Sequence, residues 1–110
     1  MVEVIVPWRP GCEHREVALA WVAPRYPWPV TIATAPEGPW CKAEAVTPAA
    51  AASSADILVI ADADVWCDGT AAAVQAVIDG HPWAIPHTRV HRLTPGATAV
   101  MLAGREPDPA

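Results

Sequence analysis

Residues 57 to 61, ILVIA, are apolar at every position, and a strand without polar alternation is expected where both faces of a sheet are covered. That one run restricts the chain to layered architectures in which helices flank strands. Two further β-branched runs precede it: Val2 to Val6, closed by Pro7, and Val30 to Thr34. Glu13 to Ala23 reads as a helix, with acids in its first turn and the pairs Val17/Trp21 and Ala18/Val22 at i,i+4; Pro24, Pro27 and Pro29 end it. A second helix, kinked or broken at Pro48, is expected from about Cys41 to Ser54. Asp68 or Thr70 is placed to cap a third that runs to Asp79, with Gly80 as its stop. Trp83 to Pro86 and Arg89 to Leu93 read as short extended segments, and Thr94-Pro95 opens a last helix through Leu102.

Strands alternating with helices at crossover lengths predict an α/β fold, a Rossmann-like open and mostly parallel sheet with helices on both faces. The 110 residues suit one domain, over residues 1–104, followed by a frayed tail at 105–110. Ligands of such sheets bind beyond the carboxyl ends of the strands. The loops expected there are PWRPGC, APEGPWCK and DADVWCDG, which hold most of the polar chemistry of the chain.

The overall balance narrows the function classes. A net charge of −5 argues against a nucleic-acid surface, which needs clustered Lys and Arg. The three cysteines, Cys12, Cys41 and Cys67, share no CxxC spacing, so small thiols in a reducing compartment fit better than a disulfide framework or structural zinc. The start MVEVIVPWRP lacks a secretory leader, and no apolar stretch reaches the length of a membrane span; a cytoplasmic protein is expected. Six Trp and no Phe suggest rings half-buried at core or cleft edges, where each N–H can find a partner. There is no Walker motif and no GxGxxG.

Asp62 and Asp64 stand at i and i+2 just past the third strand, and in extended backbone both side chains point to one side. Two carboxylates so placed can approach one hard cation that keeps open positions for phosphate oxygens. They can equally end a strand and make a turn, as Asp commonly does. Arg9 on the first loop and Lys42 at a helix start would stand at the same sheet edge. A lysine there opposes the helix dipole unless an anion is near. Trp8 can wall or stack in such a pocket. His87 or His91 can complete a metal site begun by the aspartates, or simply face solvent.

In order, VIVPWR, PWCKAEAV and ADILVIADADVWCDG resemble the nucleotide-sugar-binding half of GT-A glycosyltransferases, especially family 2-like enzymes of the kind found in actinobacteria and their phages. The resemblance covers about residues 3 to 94. It implies that Pro7, Trp8 and Arg9 contact the nucleotide, that Lys42 lies near the nucleotide or diphosphate, that the DxD segment Asp62-Ala63-Asp64 borders the donor, and that Asp62 and Asp64 hold Mn²⁺ or Mg²⁺ against the diphosphate. The implied ligand is a UDP- or GDP-linked sugar, and the implied role of metal and cations is to neutralise the departing diphosphate. Two departures stand out. The acidic stretch that such enzymes often carry after the second strand reads TIATAPEG here, with only Glu37. The acceptor-binding half, which supplies the base of inverting members, has no counterpart in these residues. The acceptor site is then expected from a second copy, a partner or the acceptor itself. A non-catalytic nucleotide or nucleotide-sugar binding module is the competing expectation. Nucleotidyl transfer is weaker, for want of a glycine-rich basic loop after the first strand.

Overall fold

The computed structural model describes residues 1–104, so the tail expected at 105–110 lies outside the described residues. Three parallel strands form one open sheet in the order β2-β1-β3: β1 (Val2–Trp8), β2 (Val30–Thr34) and β3 (Ile57–Ile60). Four helices connect and follow them: α1 (Glu13–Val22), α2 (Lys42–Ala52), α3 (Thr70–Ile78) and α4 (Pro95–Leu102). The α/β class and the parallel sheet agree with the pattern of the sequence.

The register explains how β1 accommodates a proline. Val4 N donates to Pro29 O on the β2 side, and Ile5 O accepts from Ala61 N on the β3 side. By alternation the missing N–H of Pro7 points toward β3, whose pairing ends at Ile5↔Ile60. No ladder bond is lost, so β1 runs on through Pro7 to Trp8 rather than closing at Val6.

The two faces of the sheet are covered unequally. Val4 and Val6 point to one face and are fully buried beneath Val22 of α1, Tyr26 and Ala63. Trp21, Trp28 and Trp66 pack around them as half-buried rings, with Trp66 edge-on to Trp21 at 6.2 Å and tilted on Tyr26 at 5.2 Å. Ile5 and Ala33 are buried on the other face, and the C-cap residue of α2, Ser53, reaches Glu3 on that same side. The expectation that β3 is covered on both faces does not hold. Val59 packs on the core, but Leu58 is 37% and Ile60 43% exposed. The cause is topological: α2 lies against β1 and β2, and β3 is left as the sheet edge.

Several boundaries differ for local reasons. Val17 is exposed, and the inner side of α1 is carried by Leu19, Trp21 and Val22; Pro24 turns the chain into a single 3-10 turn, Ala23–Arg25. α2 is one helix through Pro48, neither broken nor restarted. The carbonyl that loses its donor belongs to Glu44, an exposed residue that water can satisfy. Neither Asp68 nor Thr70 caps α3. Asp68 accepts from Trp66 Nε1 at 2.8 Å, and buried Thr70 donates to Cys67 O at 2.9 Å, leaving Gly69 as the N-cap. A Cβ on Gly69 would collide with the Pro86 carbonyl, so a glycine there lets the 83–86 segment lie against α3. That segment and residues 89–93 form no strand. Gly80, at φ 111°, stops α3 as expected, and Thr94 Oγ1 caps α4 by accepting from Ala97 N at 3.1 Å.

Candidate functional site

The carboxyl ends of β1 and β3 and the N-terminus of α2 converge on one cleft of about 230 Å³, lined by Pro7, Trp8, Arg9, Arg15, Trp40, Lys42, Asp62, Ala63 and Asp64. Pro7, Trp8, Arg9, Lys42, Asp62, Ala63 and Asp64, the residues expected to meet the donor, all line this cleft, whereas Glu37 does not. The DxD spacing has a local cause. Ala63 is buried in the core cluster, and its neighbours on either side are turned out to solvent. A small apolar middle residue anchors the loop while the two acids remain in the cleft.

The cations are held differently from one another. Arg9 Nη2 donates to Pro36 O at 3.0 Å, and its guanidinium carbon lies 5.5 Å from the Trp40 ring centroid. Arg9 thus ties the loop after β1 to the loop before α2 and steadies the half-exposed Trp40. Lys42 Nζ donates to Asp62 Oδ1 at 2.8 Å, so two residues expected to meet different parts of a ligand meet each other. Asp64 has no ion-pair or hydrogen-bond partner among the described residues. Arg15, in the first turn of α1, adds a third cation to the lining.

The histidines stand elsewhere. His87 Nδ1 is 3.9 Å from Cys67 Sγ, and neither His87 nor His91 lines the cleft. Among the described residues no three His, Cys, Asp or Glu side chains gather into a metal-binding group, so the histidine considered as a third ligand is not brought to the aspartates. Two carboxylates still match a hard divalent ion of the Mg²⁺ or Mn²⁺ type, which takes one or two protein carboxylates and completes its shell with water and phosphate oxygens. Burial pushes the Cys67 thiol up, with repulsion from Asp68 and Asp62 added. A thiol held protonated is a poor nucleophile. Tyr26, beneath the same loop, is raised mainly by burial, with Cys67 and Asp62 adding to it.

Arg15 and Trp40 were not among the residues singled out from the sequence. The signal for Arg15 was present: a cation in a helix first turn is disfavoured by the dipole, the same reasoning that drew attention to Lys42. Trp40 stood in a Pro- and Gly-rich loop two residues before Lys42, where an aromatic ring has little core to fill. No helix among the described residues is long and apolar enough to cross a membrane. No family model matches the sequence, and neither a curated protein nor a solved structure matches it.

Proposed function

We propose that the cleft binds a UDP- or GDP-linked sugar together with Mn²⁺ or Mg²⁺, as the donor site for glycosyl transfer. One observation carries this reading: Asp62 and Asp64 flank a buried Ala63 and share their cleft with Arg9, Arg15 and Lys42. A site of mixed sign suits a ligand that brings anionic phosphates and a cation at once. In this reading Asp62 and Asp64 hold the metal, while Lys42 and Arg15 take charge from the diphosphate. Trp8 and Trp40 wall the nucleoside end. Bound metal supplies charge neutralisation to the leaving diphosphate. Arg9, already bonded to Pro36 O, fixes the two loops that carry these groups.

Calorimetric titration tests the reading. UDP or GDP should bind more tightly with Mn²⁺ present, and Asp64→Ala should remove that dependence. Metal-independent binding, or none for either nucleotide, overturns the assignment. Slow Mn²⁺-dependent hydrolysis of a nucleotide sugar, lost in Asp64→Ala, marks an enzyme. Binding without turnover marks a non-catalytic module on the same site.

A further inference from the structure

The two cleft carboxylates are not equivalent. Asp62 already has a cation, the Lys42 ammonium at 2.8 Å from Oδ1, whereas Asp64 is unpaired among the described residues. Lys42 is the first residue of α2, so its backbone is fixed by the helix while its four-carbon stem can swing. Its side chain is 48% exposed and that of Asp62 52%, so the bridge is an open one that water and salt weaken.

We propose that Lys42 is a removable counter-cation that makes metal and nucleotide binding interdependent at this cleft; the proposal rests on the donor-site reading above. A divalent ion approaching Asp62 meets an ammonium already seated on that carboxylate. Two unit charges about 4 Å apart in water repel by an amount worth roughly five-fold in binding, and a divalent ion squares that factor before salt screens it. Metal alone therefore binds weakly. A diphosphate entering the cleft offers Lys42 a second anion within reach of the same stem, and the ammonium moves off Asp62 onto phosphate oxygen. Asp62 then joins Asp64 in holding the ion. Because the coupling is thermodynamic it is reciprocal: the factor by which nucleotide tightens metal equals the factor by which metal tightens nucleotide. Two consequences follow for the empty protein. The bridge keeps Asp62 neutralised where it would otherwise add to the repulsion from Asp64, and it disfavours stray cations in the absence of nucleotide.

The test is a pair of titrations, Mn²⁺ alone and Mn²⁺ with saturating UDP, on the wild-type chain, Lys42→Met and Lys42→Arg, each first shown to be folded by its thermal melt. In Lys42→Met the affinity for Mn²⁺ alone should rise about ten-fold, and the further gain from UDP should shrink. Lys42→Arg keeps the charge and should bind Mn²⁺ alone as weakly as wild type. Unchanged or weaker Mn²⁺ binding in Lys42→Met, with Mn²⁺-dependent UDP binding intact in the wild type, overturns the counter-cation and leaves the donor site standing. Failure of the wild type to bind UDP with Mn²⁺ present overturns the donor site and the coupling with it.

Discussion

The two ends of β3 carry nearly the same ion pair in different company. Just before the strand, Asp56 accepts from the amino group of Met1 at 2.7 Å; just after it, Asp62 accepts from Lys42 at 2.8 Å. At the Asp56 end the surrounding polar groups are satisfied within the fold. Met1 O accepts from Asp56 N at 2.9 Å and Ile57 N at 3.2 Å, and Glu3 accepts from Thr31 and Ser53, each at 2.7 Å. The Met1 amino group holds the Asp56 carboxyl below its usual range, and the hydrogen bonds from Ser53 and then Thr31 do the same for Glu3. At the Asp62 end, Arg9, Arg15 and Lys42 face Asp62 and Asp64 around an open cleft, and part of that charge has no partner among the described residues. An exposed ion pair is therefore no guide to purpose by its length alone. Whether its neighbours find partners inside the chain is the informative part.

The strand between the two ends sets the largest expected effect. Ile5 is fully buried and pairs with Ile60, so Ile5→Ala should cost about 2–5 kcal/mol in urea denaturation. A loss below about 1 kcal/mol would mean that neither end depends on β1 as described. Next, Asp62→Ala should abolish the Mn²⁺ dependence of UDP binding while Asp56→Ala leaves it intact. Equal losses in the two variants would erase the contrast between the ends. Arg15→Ala should weaken UDP binding about ten-fold, the size of one charge-assisted contact, without moving the melting temperature. A lowered melting temperature with unaltered affinity would assign Arg15 to the fold instead.

The smallest effect concerns pH. Because the folded protein holds Asp56 below its ordinary pKa, that carboxylate contributes stability above the ordinary carboxylate range and loses it as pH falls through the folded value. Asp56→Asn should melt lower than wild type at neutral pH, and the gap should close in acid. A gap that stays constant from pH 7 to below about 3 would remove the ionic part of this pair.

The sequence disclosed the order of elements because each strand run is short, β-branched and bounded by proline or polar loops. It also placed Asp62, Asp64 and Lys42 at one sheet edge, since parallel topology sends all such loops to the same end. What it could not disclose was partnership. That Lys42 would bond to Asp62, or that Arg9 would turn to Pro36 O and Trp40, depends on loop paths with no periodic signature. The exposure of Leu58 and Ile60 was hidden for another reason: ILVIA reads the same at an edge as in the middle of a sheet. At Pro48 the sequence left a kink and a break both open, and the break is removed because the lost bond falls at exposed Glu44 while α2 packs on β1 and β2.

The strand order β2-β1-β3 also has a kinetic side. The central strand precedes both of its hydrogen-bonding neighbours in the chain, so its ladders wait on segments made after it. Val4 and Val6 find cover from Val22 of α1, the next helix along the chain, whereas Ile5 faces the side on which α2 packs later. Contact of β1 with Trp21 and Val22 of α1 closes the shorter loop and the ladder to β3 the longest, so loop-closure entropy weighs least on the first and most on the second.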